Sequence, residues 1–379
     1  MTDDPVSLRV SLAQRVAEKN VSFDSVWRRA VEGVAREGFL GDAVFRSDGI
    51  RWESVRRAEV GEDAWLRLVY SDETWVTRVD GVHAADVEGP VVGSPTSSST
   101  LPSLVVRMLE VAGIRDGDRV LEIGTGTGYS TAILCHRLGD ANVTSIEYDP
   151  GVARQAAENL RAAGYTPNLV VGDGLLGYRA GGEYDAVVAT CSVRHIPVPW
   201  LWQVTDTGSI TTTLGGWLPA SGLVRLTLGD NDIASGRFLG DTVSYMLARP
   251  HERPPRPVFQ RYAGTVRECR VDPDLIEGWT GAFVAQLAAP SAELMTASDG
   301  LILRDVATGS QAWTEANGAG RVVHQHGPLR LWDQVEDALI AWQGVGSPDQ
   351  SAFGLTVAAD LTQTVWIGGP EGPSWQLPV

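Results

Sequence analysis

Three glycines at alternating positions, Gly124, Gly126 and Gly128, stand between a strand-like run, Arg119 to Ile123, and a helix-like segment, Ser130 to Leu138. Glycine lets a backbone turn sharply and approach a ligand with no Cβ in the way. The free N–H groups at the start of the following helix then point at that ligand. A second strand, Val143 to Ile146, ends in Glu147, where a carboxylate can accept hydrogen bonds from ribose hydroxyls. A third, Asn168 to Val171, runs into Gly172-Asp173-Gly174. The glycine pattern alone also occurs in dinucleotide-binding turns. A tight strand-to-helix turn with no ligand can produce it too.

The elements that position these residues follow from periodicity. From Leu101 strands and helices alternate as far as residue 218, the pattern of a parallel sheet covered on both faces. Leu104 to Ala112 reads as a helix. Tyr184 to Thr190 reads as a strand apolar enough for burial on both faces, and Ser209 to Leu214 as the next strand. Leu223 to Leu228 and Phe238 to Leu247 read as an antiparallel pair flanking Gly229-Asp230-Asn231-Asp232. A nucleotide-type loop on a parallel sheet that closes with an antiparallel pair resembles class I S-adenosylmethionine binding rather than a nicotinamide site.

Outside this region the signals are shorter. Residues 7 to 40 predict two helices, the second capped by Asp24 or Ser25 and ending near Gly38. Leu66 to Tyr70 and Thr74 to Thr77 predict strands, and Glu88 to Thr100 shows no periodicity. Pro250 to Pro257, with four prolines, predicts a linker. Beyond it, helices are expected at Ser291 to Ala297 and Leu331 to Trp342. Strands are expected at Leu301 to Val306, Gly354 to Ala358 and Thr364 to Ile367. The fold class is therefore α/β, a Rossmann-like doubly wound sheet with an antiparallel final hairpin, N-terminal helices and a C-terminal α+β extension. The expected domains are 1–92, 93–250 and 251–379.

Composition excludes several classes. The 379 residues are 43% hydrophobic and 21% charged, as in an ordinary globular chain. The net charge of −16 argues against nucleic acid, which needs clustered Lys and Arg. No apolar stretch approaches a membrane span, and the acidic start Met1-Thr2-Asp3-Asp4-Pro5 is not a secretory signal. Cys135, Cys191 and Cys269 lack metal-ligand spacing and fit reduced thiols, so a cytoplasmic location and no metal are expected. His324-x-His326 is too little for a zinc site.

The motifs together resemble the protein-L-isoaspartate O-methyltransferase family. Val120 to Tyr129, followed by Ser130-Thr131-Ala132-Ile133-Leu134, is close to that family's glycine motif, and Gly172-Asp173-Gly174 also matches. Arg36-Glu37-Gly38-Phe39 is similar to an Arg-x-x-Phe element of the family. The resemblance spans roughly residues 25 to 250. The family's Thr-Ile-Ser-x-Pro segment corresponds to Ser98-Ser99-Thr100-Leu101-Pro102, so Thr100 stands where the family keeps its serine. A capping role for Ser or Thr at this position is the simpler alternative, and Ser103 suits it equally. The family's repair enzymes are shorter. The stretch from 251 to 379 makes the chain look like the long relatives encoded with ATP-grasp peptide (graspetide) maturation systems, which methylate an aspartate of a crosslinked precursor peptide. That methyl ester then closes to an aspartimide.

The resemblance implies S-adenosyl-L-methionine as cofactor and a precursor peptide as partner. Gly124, Thr125, Gly126 and Gly128 would admit the methionyl part, with Glu122 ordering the loop. Glu147 would hold the ribose, with Tyr148 beside the adenine. Asp173 and Gly174 would line the adenine edge, and Thr190 would complete the cofactor site. Thr100, with Ser99, would position the acceptor carboxylate. Arg194 is a further candidate for that carboxylate, and His195 for substrate contact. An aspartate is already anionic at neutral pH, with a pKa near ~3.9, so no general base is required. The alternatives are isoaspartyl repair, small-molecule methylation and a non-catalytic peptide-binding protein.

Overall fold

The computed structural model describes residues 4–20, 25–229, 233–255, 260–297, 300–318 and 320–378. Its contacts divide into two units, Met1–Thr190 with Pro199–Thr211, and Cys191–Val198 with Thr212–Val379.

The first unit is built on a parallel sheet. Its strands are β1 (Val120–Ile123), β2 (Val143–Glu147), β3 (Asn168–Val171) and the starts of β4 (Tyr184–Val193) and β5 (Val204–Gly215), in the order β5-β4-β1-β2-β3. β1 is parallel to both β2 and β4, and β2 is parallel to β3. All four residues of β1 are buried, including the carboxylate-bearing Glu122. The helices Tyr129–Leu138 and Pro150–Ala162 connect the parallel strands, as a parallel topology demands. Ile123 lies opposite Ile146 and Ala189, and Glu147 opposite Val171. The four turns that follow β1 to β4 therefore share the carboxyl edge of the sheet, where open α/β folds bind ligands.

Ahead of this sheet stand the helices Pro5–Lys19, Ser25–Gly33 and Glu37–Leu40. Asp4 caps the first by accepting from the amides of Val6 and Ser7. The expected cap at Asp24 lies outside the described residues, as does the Ser25 side chain. The second helix ends at Gly33, earlier than expected, because the chain turns into the short Glu37–Leu40 helix.

Two expectations for residues 60–100 are corrected. Leu66 to Tyr70 is not a strand; it belongs to the helix Glu62–Val69, whose Trp65, Leu66 and Val69 are buried at helical spacing. A five-residue apolar window is too short to separate the two periods. The serine-rich segment is not aperiodic: Pro95–Ser99 is a strand paired with Trp75–Val79, Trp75 opposite Ser99 and Val76 opposite Ser98. Its buried Ser97 accepts from Thr77 Oγ1 at 3.1 Å, which replaces the apolar alternation that would mark a strand. The following helix, Pro102–Ala112, has Leu101 at its N-cap and no side-chain cap, so neither Thr100 nor Ser103 caps it.

The second unit has two sheets. β6 (Ser221–Leu228) pairs antiparallel with β7 (Ala234–Phe238), Val224 opposite Phe238. The hairpin partner thus precedes the expected Phe238 to Leu247, of which only Phe238 is in the strand. Residues 230–232 of the expected turn lie outside the described set. β7 continues antiparallel to β8 (Phe353–Val357), then β9 (Gln363–Ile367) and β10 (Ser374–Gln376). The C-terminal strands therefore extend the hairpin's own sheet. A second, antiparallel sheet runs Thr265–Glu268, Gly320–His326, Gln311–Asn317, Gly300–Asp305, Ala292–Ala297. Ser291 to Ala297 was expected to be helical. Pairing Leu294 with Leu303 and Met295 with Ile302 makes it a strand, because tertiary pairing overrides the helix propensity of Ala, Leu, Met and Glu. The expected helix at 331–342 is present as Leu331–Gly344. Glu336 on it is fully buried and accepts from Arg267 and Arg270 at 2.6 and 2.7 Å. Within the expected proline linker, Arg249–His251 forms a 3-10 turn, and residues 256–259 lie outside the described set.

Candidate active site

The glycine turn is set by its backbone angles, by close approaches and by hydrogen bonds to its carbonyls. Gly124 and Gly126 have φ of +98° and +55°, a region that side-chain-bearing residues disfavour. A Cβ on Gly124 would lie 2.8 Å from Thr190 Oγ1. A Cβ on Gly126 would lie 3.2 Å from the Ser98 carbonyl oxygen. The Thr190 hydroxyl donates to the Gly124 carbonyl at 2.6 Å, tying the turn to the end of β4. Asn159 Nδ2 donates to the Thr127 carbonyl at 3.1 Å.

Two carboxylates organise the turn from below and beside. Glu122 accepts from Ser130 Oγ at 2.5 Å, Ser145 Oγ at 2.7 Å and the Thr131 hydroxyl. Thr125 Oγ1 shares a 2.7 Å bond with the same Ser145 hydroxyl. Glu122 therefore holds the first turn of the following helix through its side chains. Burial pushes its carboxyl up, against the pull of those three hydroxyls. Glu147, at the end of β2, accepts the Gly126 amide on Oε2 at 2.9 Å and the Asp149 amide on Oε1 at 3.1 Å. Burial raises its carboxyl as well, while the bonds from Asp149 and Gly126 oppose the shift. Tyr148 beside it is half exposed. Asp173 accepts the Leu175 amide at 2.9 Å. Gly174 is required, since a Cβ there would meet Ile123 Cγ2 at 2.4 Å, and its carbonyl accepts from Trp200 Nε1 at 2.8 Å.

Gly124, Gly126, Glu147, Tyr148, Asp173, Gly174 and Thr190 all lie at the carboxyl edge of the sheet. Glu122, within β1, lies one layer below, and the buried Thr125 side chain of the turn bonds to the Ser145 hydroxyl. The strand carrying Ser99 approaches this edge at Ser98, whose carbonyl faces Gly126. Ser99 is 2% exposed and its hydroxyl has no hydrogen-bond partner. Thr100 is partly exposed.

Arg36 holds this segment in place. Its guanidinium is fully buried and donates to the carbonyls of Val69, Ser71, Glu73, Ser99 and Thr100 at 2.7–3.4 Å. It also lies 5.6 Å from the Tyr129 ring centroid. The sequence presented Arg36 only as part of a short pattern. An arginine flanked by Val34, Ala35 and Phe39 was the available signal.

Arg194 and His195 lie in the second unit. The Arg194 guanidinium covers the Trp217 ring at 4.0 Å and donates to the Pro290 carbonyl at 2.8 Å. His195 packs edge-on against His251, whose pKa is pushed down to about 4, mainly by burial. His324 bonds to Glu315 at 2.9 Å and stacks on Trp313. Among the described residues no cluster of His, Cys, Asp or Glu is arranged to hold a metal. Among them, too, no helix is long and apolar enough to cross a membrane.

A glycine cradle, a carboxylate on the second strand and Asp-Gly after the third, on this sheet order, define a class I S-adenosylmethionine-dependent methyltransferase. Residues 67–216 match the family described as protein-L-isoaspartate(D-aspartate) O-methyltransferase. A protein-L-isoaspartate O-methyltransferase of Archaeoglobus fulgidus is 35% identical over 197 residues, 52% of this chain and 81% of that protein. One from Anaeromyxobacter is 30% identical over 200 residues, 73% of its length. One from Ignicoccus hospitalis is 36% identical over 124 residues, and the match spans 59% of its length. A solved structure of a protein-L-isoaspartate O-methyltransferase aligns over 95% of this chain and 100% of its own, at a TM-score of 0.55 and 19% identity, so the two share a fold. The chain belongs to the protein-L-isoaspartate O-methyltransferase family, and is by class an S-adenosylmethionine-dependent carboxyl O-methyltransferase.

Proposed function

We propose that this enzyme methylates an aspartate side chain of a ribosomally made, crosslinked precursor peptide. The observation that carries the proposal is Ser98-Ser99-Thr100. Ser98 and Ser99 end a strand and Thr100 follows it; the Ser99 hydroxyl is buried and unpartnered, and the Ser98 carbonyl lies against the glycine cradle. Most of the second unit lies beyond the family match at residue 216.

S-adenosylmethionine, when bound, supplies a methyl group already activated as a sulfonium. The residues present suit it. Gly124 and Gly126 remove side chains from the turn, Glu147 offers carboxylate lone pairs beside the Gly126 amide, and the Gly174 backbone is held by Trp200. Gly124, Thr125, Gly126 and Gly128 would form the methionyl side, Glu147 with Tyr148 the ribose and adenine side, and Asp173, Gly174 and Thr190 the far wall. Glu122 acts one layer down, through Ser130, Thr131 and Ser145.

The acceptor needs alignment and exclusion of water rather than a base. Thr100 and Ser99 hydroxyls would orient the carboxylate by donating to it. Once an aspartate is esterified, the amide nitrogen of the next residue can attack the ester carbonyl. A C–N bond forms, methanol leaves with the amide proton, and a five-membered imide remains.

A second reading, isoaspartyl repair, is favoured by relatives named protein-L-isoaspartate O-methyltransferase, one of them 35% identical over a match that spans 81% of its own length. Mass spectrometry decides between them. The protein is incubated with S-adenosylmethionine and either an isoaspartyl test peptide or a crosslinked precursor peptide encoded beside the gene. Gain of one methyl on a precursor aspartate, then loss of methanol, supports peptide tailoring. Methylation of the isoaspartyl peptide alone overturns it in favour of repair.

A further inference from the structure

A fully buried guanidinium normally sits against a carboxylate, because removing an unpaired charge from water is costly. Arg36 does not. Its hydrogen-bond partners are all backbone carbonyls, and no carboxylate pairs with it among the described residues. Of the acids whose charge acts on it, Asp72 is held by Lys19 at 2.6 Å and by the Ser103 amide. Arg36 Nε is buried with no hydrogen-bond partner. Two neighbours share that condition, the hydroxyls of Ser99 and Tyr129. Arg36 joins them, since it donates to the Ser99 carbonyl at 3.4 Å and faces the Tyr129 ring. A positive charge and three unsatisfied donors thus meet where the acceptor strand passes the glycine turn.

We infer that Arg36 is a positioning residue for the methyl acceptor: it fixes the Ser99–Thr100 backbone, and its unpaired charge makes the site select a carboxylate over the neutral amide of the same shape. The inference rests on the acceptor lying at Ser99 and Thr100. It does not depend on which peptide is natural, since precursor and isoaspartyl substrates both present a carboxylate. Burial lowers the Arg36 pKa to about 10, so the charge is retained at neutral pH.

The test measures binding of two peptide pairs to the full chain saturated with S-adenosylhomocysteine. One pair is the isoaspartyl peptide and its carboxamide analogue; the other is the precursor peptide and its Asp→Asn form. The expected result is tighter binding of the acid by about 10-fold or more in at least one pair, the range of a charge-assisted hydrogen bond. In Arg36→Met that preference falls to within about 2-fold while S-adenosylhomocysteine affinity holds, and Arg36→Lys restores part of it. A merely structural role would lower both affinities together and would not be rescued by lysine. Equal binding of acid and amide by the wild-type protein, or no binding of either acid, overturns the inference even if Arg36→Met fails to fold. Preserved preference in Arg36→Met overturns it as well. Failure of the peptide-tailoring proposal appears separately, as methylation of the isoaspartyl peptide alone.

Discussion

Glu147 and Gly126 are joined by a 2.9 Å bond from the glycine amide to the carboxylate, which links the end of β2 to the glycine turn. One oxygen therefore shapes the turn while lone pairs on the same group remain for a ribose. Glu147→Gln keeps the size and removes the charge, and places an amide N–H where an acceptor is needed. S-adenosylhomocysteine affinity, measured by calorimetry, is expected to fall by about 10- to 100-fold, the range for a lost charged hydrogen bond. A change below about 2-fold would show that the carboxylate is not part of the cofactor site.

Ser99 separates function from stability. Its buried hydroxyl has no partner to lose, so Ser99→Ala removes a desolvated polar group and leaves the melting temperature unchanged or raised. Acceptor KM should nevertheless rise by about 10-fold, with cofactor affinity intact. Thr100→Val should act in the same direction. Normal kinetics in both variants would remove the hydroxyls from the acceptor site.

Gly126 couples the two half-sites. Gly126→Ala would strain a left-handed backbone by about 1–2 kcal/mol and push a methyl group towards the Ser98 carbonyl, 3.2 Å away. Cofactor affinity and acceptor KM should both worsen. A variant that weakened only the cofactor would show that the strand gives way freely.

Glu336 governs acid stability in the second unit. Burial alone would raise its carboxyl, but the bonds from Arg267 and Arg270 outweigh this and hold it below the usual range. A depressed pKa contributes stability that is complete above the unfolded value, about 4.3, and is lost as pH falls through the folded one. Glu336→Gln should cost about 3 kcal/mol at pH 7 in denaturant titrations, as expected for breaking a buried ion pair. The gap from wild type should narrow below about pH 4. A gap that widened towards acid would contradict this sign.

The gathering of Gly124, Gly126, Glu147 and Asp173 at one edge of the sheet was legible because local spacing encodes it: each ends or follows a strand with its own apolar signal. Leu66 misled because a short apolar run carries no unambiguous period, and Met295 because strand pairing outweighs the helix propensity of its segment. Arg36 was readable only as a motif letter. Its partners lie 33 to 64 residues away, and no spacing rule connects a helix end to carbonyls in a later loop and strand.

The five-carbonyl clamp also bears on modularity. The stretch that defines the family here, residues 67–216, holds every residue proposed for the cofactor together with Ser99 and Thr100, yet it starts downstream of Arg36. Excised by itself, that stretch would turn the carbonyls of Val69, Ser71, Glu73, Ser99 and Thr100 towards an empty socket. Grafting the recognisable segment onto another scaffold would thus transfer the donor half of the chemistry and leave the acceptor half behind, unless the helices that deliver the guanidinium travelled with it.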